Sequence, residues 1–274
     1  MPAFADALLA YCAAMMQPPE IAWPADKFFG QKLRYLVAFA LIGQDVRWRR
    51  NGGELPTLAA LQRAAHASPR QVAALVAALK LGGYVIATRP AQDRRAVRLQ
   101  PAMALLAEIG RSPLAFLEAS ERLAPPPWPL ASRLRDLDTA LADWLGRSYD
   151  MFVQQDVYFG CFSNIVRFTE QDCGYPVLSA VLSAHYTARA GAAAPISLSY
   201  GGLAERFRVS RQHIGNILSE AERRGCFSVD HGGRAVAVAP DFLLEFETWA
   251  AGQMAHYRLL AEQLGLEPEQ ALPG

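Results

Sequence analysis

Apolar residues recur at helical spacing along most of this chain, and in two places the helical pattern passes into short alternating segments. In the first place the pattern predicts a short helix over 58–65, a second helix over 69–81 and a hairpin over 84–99. The apolar residues of the second helix and the glycines that end it are Val72, Leu75, Val76, Leu79, Gly82 and Gly83.

The same order of elements is predicted again between Ile196 and Val238. An offset of 142 residues superposes the apolar positions of the two copies at the same helical phase. The matched pairs include Leu61 with Leu203, Val72 with Ile214, Val76 with Leu218 and Gly83 with Gly225. Past the hairpin loop the offset falls to 139, which aligns Pro101 with Pro240 and predicts a shorter loop in the second copy. The pattern therefore predicts a mainly α protein with small β-wings, in which two winged helix-turn-helix domains lie in tandem.

A run of prolines divides the two copies. The segment 125–129 reads Pro-Pro-Pro-Trp-Pro, which favours a stiff extended conformation and excludes helix. We therefore expect a first winged-helix domain with its flanking helices over 1–124 and a second over 130–274, joined by this linker.

Flanking helices are predicted from apolar spacing. They cover 4–16, 32–42, 101–109, 114–123, 130–146, 175–188 and 240–264. Ser112-Pro113 is expected to break the helix that begins at Pro101, because proline lacks an N–H. The basic run 47–50 precedes a glycine turn. The sequence allows two roles for this run, contact with phosphates or a solvated loop with Trp48 packed against the core.

The net charge of +1 hides an asymmetry along the chain. Residues 1–115 hold 14 Lys and Arg against 7 Asp and Glu, whereas residues 116–274 hold 13 against 19. This balance points to polyanion binding concentrated in the first half, or to drift in the charge of two solvated faces. The cysteines (Cys12, Cys161, Cys173 and Cys226) are scattered, which predicts free thiols in a cytoplasmic protein. No signal peptide and no run of about 18 apolar residues is evident, so no membrane span is expected.

Arginine and amide side chains collect at the positions where a winged helix-turn-helix meets DNA. The first copy has a basic hairpin, and the second copy has the richer set at the start of its second helix. The predicted DNA contacts are Arg70, Gln71, Arg89, Arg94, Arg95, Arg98, Arg211, Gln212, His213, Asn216 and Arg234. Ordinary surface charge is the alternative for each arginine taken alone.

At these residues the first copy resembles the multiple-antibiotic-resistance regulator (MarR) type of bacterial repressor. The resemblance rests on Gly82-Gly83-Tyr84-Val85 and on Asp93-Arg94-Arg95 within the hairpin. It implies a sequence-specific transcriptional regulator that binds double-stranded DNA. Members of that type are usually homodimers in which each chain supplies one such domain, so two copies in one chain imply a pseudo-dimer. The sequence leaves open whether two chains associate further. The segment 203–211 is equally similar to the helix-turn-helix of the cyclic-AMP-receptor type, but no cyclic-nucleotide-binding domain precedes it.

The stretch 149–168 is the richest in aromatic residues. The resemblance implies a small aromatic effector between the two halves, and the candidate pocket residues are Tyr149, Phe152, Tyr158, Phe159 and Phe162. Simple packing of the rings is the alternative.

Two other function classes compete with a regulator. Plasmid-type replication initiators also carry tandem winged helices, and some winged helices bind protein. The sequence contains no glycine-rich phosphate loop, no metal-ligand spacing and no Gly-x-Ser-x-Gly motif, so we expect no enzymatic activity, cofactor or metal.

Overall fold

The structure is a computed structural model that describes residues 2–17, 29–65, 67–90, 96–155, 160–192, 196–230 and 236–267. It is mainly helical, with two antiparallel sheets of two strands each, which confirms the coarse fold class. The described elements of the first half are α1 (Pro2–Met15), α2 (Lys32–Asn51), α3 (Leu58–Ala64), α4 (Pro69–Leu81), β1 (Val85–Thr88), β2 (Arg98–Pro101) and α5 (Met103–Leu123).

The second half repeats this order with two short helices added, one at its start and one between the counterparts of α1 and α2. Its described elements are α6 (Leu130–Asp136), α7 (Asp138–Gln155), α8 (Ser163–Glu170), α9 (Gly174–Arg189), α10 (Tyr200–Phe207), α11 (Arg211–Arg223), β3 (Phe227–Val229), β4 (Val236–Val238) and α12 (Pro240–Glu262). Both ends of α4 and α11 differ by 142 residues, the predicted offset. We call residues 58–101 the first head and residues 200–238 the second head.

The register of the two hairpins corrects the predicted offset beyond the loop. Val85 pairs with Pro101 in the first hairpin, and Phe227 pairs with Val238 in the second. Phe227 follows Val85 by 142 residues, but Val238 follows Pro101 by only 137. The second hairpin is therefore five residues shorter, not three.

Pro101 and Pro240, which the sequence offset of 139 aligns, do not occupy equivalent positions in the structure. Pro101 ends β2, whereas Pro240 begins α12. The equivalent positions are Ala102 and Ala239, which precede α5 and α12 as their N-cap residues. Proline is favoured both at strand edges and at the first position of a helix, so its identity alone does not fix the register.

The halves pack against each other reciprocally. Helix α1 of the first half packs on α9 of the second, and α7 of the second half packs on α2 of the first. Helices α5 and α12, which follow the two hairpins, pack against each other. Buried residues of both halves belong to one hydrophobic core, so the proline segment joins 1–124 to 130–274 in sequence without separating two cores.

Helix α5 is continuous through Pro113, contrary to the predicted break. A proline removes the hydrogen bond to the carbonyl four residues earlier, which here belongs to Ile109. The Tyr35 hydroxyl donates to that carbonyl at 3.1 Å. Leu114, Phe116 and Leu117 are buried, so packing on both sides and this substitute donor offset the missing bond.

Other helix boundaries also differ from prediction. The predicted helix over 130–146 is two helices, separated at Leu137, whose backbone is extended. Helix α2 runs on to Asn51, so the basic run 47–50 is helical. Arg47 and Arg50 of that run pair with Asp150 and Asp143 of α7 at 3.5 and 3.1 Å. The run therefore joins the two halves in the structure.

Within the described ranges, none of the helices has the length and apolar character needed to cross a membrane. Those residues also contain no cluster of three side chains suited to hold a metal ion.

Candidate nucleic-acid interface

Helix α11 presents a polar edge to solvent. It begins at Arg211 because Ser210 caps it, and the Ser210 hydroxyl accepts the His213 backbone N–H at 3.1 Å. Its buried side consists of Ile214, Ile217, Leu218 and Ala221. Gln212 and Asn216, on the opposite side, are exposed, and so is Arg211 at the start of the helix. Three of the four predicted DNA contacts of this helix are thus exposed to solvent, and Gln212 and Asn216 lie one turn apart on the same face.

The His213 ring points elsewhere. Its Nε2 lies 2.7 Å from the carbonyl oxygen of Asp172, in the turn between α8 and α9. The Glu220 carboxylate of α11 accepts hydrogen bonds from Gln171 Nε2 at 2.7 Å and from Arg167 Nε at 2.9 Å. The bond from Arg167 lowers the pKa of Glu220. The His213 side chain thus tethers α11 to the α8–α9 turn, and its contact with DNA stays a prediction.

Helix α4 of the first head begins with a capping box. The Ser68 hydroxyl accepts the Gln71 backbone N–H at 3.2 Å, and Gln71 Oε1 accepts the Ser68 backbone N–H at 3.1 Å. The Gln71 oxygen is therefore already used, and only its amide N–H groups remain for a base edge. Arg70 is exposed beside it.

The arginines of the first hairpin divide into two kinds. Arg89 is exposed just after β1. Arg98 instead donates to Asp45 Oδ1 at 2.7 Å, and its guanidinium lies 4.0 Å from the centroid of the Trp48 ring. Asp45 is only 3% exposed, so this ion pair fixes the base of the hairpin on α2. The guanidinium of Arg98 is thus already engaged within the protein, and its phosphate contact stays a prediction.

Three predicted contacts lie outside the described residues. They are Arg94, Arg95 and Arg234.

A cavity of about 150 Å³ lies between the two halves. Its walls come from α1, α2, α5, α7, α8, α9 and α12, and apolar rings form much of its surface. The aromatic lining residues are Phe29, Tyr35, Phe116, Phe152, Tyr175, Trp249 and Tyr257. The charged ones are Lys32, Glu108 and Arg111, and Arg111 pairs with Glu108 at 3.8 Å. A cavity of this volume holds a molecule of about the size of benzene.

One of the predicted pocket residues, Phe152, lines this cavity. Tyr149 is packed instead against Phe39 and Gly43, where a Cβ on the glycine would collide with its ring. Phe162 packs against the core and, like Tyr149, is not among the residues that line this cavity, which favours the packing alternative for both. Tyr158 and Phe159 fall outside the described residues.

The sequence interpretation missed most of the cavity. On α12 a lining residue recurs every four positions, at Trp249, Gln253 and Tyr257. That spacing was visible, but it is equally typical of a buried helix face. At the cavity wall Tyr175 and Ser112 both hydrogen-bond the Tyr11 hydroxyl of α1, and these residues are too distant in sequence for the arrangement to be predicted.

Comparisons with protein-family models, with curated proteins and with solved structures found no match to this chain.

Proposed function

We propose that this protein is a sequence-specific, DNA-binding transcriptional regulator with two winged helix-turn-helix heads in one chain. The observation that carries the proposal is the polar outer surface of α11, a capped helix on which Arg211, Gln212 and Asn216 are all exposed. In such heads the second helix enters the major groove and the hairpin lies along the backbone. Arginine suits guanine, and glutamine or asparagine suits adenine.

The packing of the halves supports an internal pseudo-dimer. In the MarR-type regulators that the first copy resembles, two chains usually supply the two heads. Here α1 and α7 each cross to the opposite half, and α5 packs on α12. One chain thus provides both heads on a shared core. A cytoplasmic location accompanies this proposal, in keeping with four cysteines that are all free.

The proposal predicts duplex DNA binding that weakens steeply with salt. Each phosphate contact contributes a slope of about −0.9 in log affinity against log salt concentration. Arg70→Ala and Arg211→Ala should each flatten the slope by about one unit if the side chain contacts a phosphate, measured by fluorescence anisotropy with labelled duplex. Arg135→Ala is the matched control, because Arg135 is exposed on α6 outside both heads.

An equal effect of Arg135→Ala would mean that the heads are not the interface. Absence of binding to any duplex at low salt would overturn DNA binding and favour a protein-interaction module. Binding confined to one replication origin among genomic fragments would favour a replication initiator.

The cavity between the halves supports the expected small-molecule effector. Its lining carries Lys32 and Arg111 against one carboxylate, Glu108, so it favours an aromatic anion over a cation. Met15 and Arg111 line the cavity, and Arg111 donates to the Gln17 carbonyl at 3.1 Å. The neighbouring Met16 carbonyl accepts from Arg206 of α10 at 2.6 Å. A ligand that moves this end of α1 therefore acts on the second head.

A further inference from the structure

The two heads present different chemistry at equivalent exposed positions. The offset of 142 pairs Ala74 of α4 with Asn216 of α11, and Ala77 with Ser219. All four residues are exposed. Asparagine and serine can hydrogen-bond base edges in the major groove, whereas alanine offers only a methyl group to thymine. The second helix therefore has hydrogen-bonding capacity where the first has none.

A third equivalent pair, Gln71 and His213, does not reverse this difference in hydrogen-bonding capacity. Gln71 and His213 both occupy the third position of their helices. The Gln71 oxygen is bound in the capping box, and the His213 ring is bound to Asp172. Among the described residues of α4, the exposed basic groups are Arg70 and Lys80, at opposite ends of the helix. Charged groups placed in this way suit phosphates as well as bases.

Helix α11 is also anchored by side-chain hydrogen bonds to neighbouring elements. The hydrogen bond between the His213 ring and the Asp172 carbonyl connects it to the α8–α9 turn. The bonds that Gln171 and Arg167 donate to the Glu220 carboxylate connect it to the same turn and to α8. The hydrogen bonds described for the start of α4 remain within its own head, such as Gln62 Nε2 to the Pro69 carbonyl at 2.9 Å. A supported helix keeps its outer side chains at fixed positions, which direct reading of bases requires.

We infer that the chain recognises an asymmetric duplex site, with one chain bound per site. The half-site under α11 is read base by base through Gln212, Asn216 and Ser219. The half-site under α4 is accepted with little base discrimination and contributes mainly backbone affinity. This inference rests on the proposed DNA-binding function and specifies its target.

The test is selection of bound sequences from a random duplex library, using the full chain and three variants. The wild type should yield one block of strong base preference beside a weakly specified block. Asn216→Ala/Ser219→Ala should reduce that preference by about 5- to 150-fold for each base that a removed side chain had read, with little change in binding to random duplex. Ala74→Asn/Ala77→Ser makes the reciprocal change in α4 and should create preference in the second block.

The third variant, Arg135→Ala, should leave the selected motif unchanged. The melting temperature of each variant checks folding, and all four altered head positions are exposed. Two blocks of equal information related by twofold symmetry would overturn the inference while leaving the proposed function intact. Two chains per selected site, measured by analytical ultracentrifugation, would also overturn it. Absence of binding to every duplex would remove the proposed function itself.

Discussion

His256 is a histidine held neutral inside the core. It is 4% exposed, its Nε2 lies 2.8 Å from the Ser148 hydroxyl oxygen, and the rings of Phe152 and Tyr257 pack around it. Burial lowers the pKa of His256 to about 4, since a charged imidazole loses its hydration there. The folded state therefore binds its proton less readily than the unfolded state, whose histidine has a pKa of about 6.5.

The sign of this shift predicts acid sensitivity. Stability from neutral His256 is fully present above about pH 6.5 and is lost as the pH falls toward about 4. Between pH 7 and pH 5 the loss should be about 2 kcal/mol in the free energy of unfolding, measured by urea denaturation. His256→Gln keeps a hydrogen-bonding group for Ser148 but does not titrate, so its stability should depend less on pH. The same pH dependence in both proteins would assign the effect to other groups.

Contacts between residues close in the chain could be predicted from the sequence, whereas contacts between distant residues could not. The caps at Ser68 and Ser210 are local, because each serine bonds a backbone N–H three residues ahead. The inward turn of His213 was not predictable, since its partner is a backbone carbonyl 41 residues earlier in the chain. The ion pair of Arg98 was not predictable for the same reason, as Asp45 lies 53 residues away.

At the scale of elements, α5 shows how one side chain from another helix preserves continuity across a proline. The Tyr35 hydroxyl of α2 donates to the Ile109 carbonyl, which Pro113 cannot serve. Tyr35→Phe should therefore cost about 1–2 kcal/mol of unfolding free energy, because it leaves a buried acceptor without its donor.

A double-mutant cycle with Pro113→Ala isolates this contact. Alanine restores the N–H at position 113, so the cost of Tyr35→Phe should become much smaller in that background. Chemical denaturation of the four proteins gives the coupling free energy. If the loss on Tyr35→Phe is the same in both backgrounds, the hydroxyl does not substitute for the missing helical bond.

Local signals predicted most elements but not their exact extents. Apolar periodicity placed α4 and α11 correctly, and the glycines after them ended both helices. The break expected at Pro113 and the end of α2 expected at Ile42 were wrong, because tertiary packing continued both helices. Helix propensity is a weak preference that packing overrides.

At the scale of the whole molecule, the cavity between the halves gives the proposed effector a testable form. Benzoates and phenols should raise the melting temperature, since a ligand that binds only the folded state stabilises it. Lys32→Met should weaken the response to benzoates more than to phenols, because Lys32 is part of the lining. Lys80→Met makes the same change on exposed α4 and should leave both responses intact.

If none of the compounds raises the melting temperature, the cavity is a packing defect and not a ligand site. A shift that both lysine variants alter equally would place the ligand elsewhere. A ligand that shifts melting should also change duplex affinity, if it favours a different placement of the second head.

The reciprocal packing of the two halves could not be predicted from the sequence. The repeat predicted two related units, and the proline run suggested where they join. Which helix of one half covers which helix of the other depends on side-chain fit across more than 100 residues of chain. Because the cavity arises from that fit, just one of the three predicted pocket residues that the structure describes, Phe152, lines it.

The crossing of α1 has a consequence during synthesis. Helix α1 leaves the ribosome well before α9, on which it packs and which begins at Gly174. At a translation rate of about 5–20 residues per second, roughly 10–30 s separate the appearance of the two helices. During that interval Leu8, Tyr11 and Cys12, all buried in the finished protein, lack part of their covering surface. The nascent chain is therefore most exposed to aggregation and to chaperone capture before its second half has emerged.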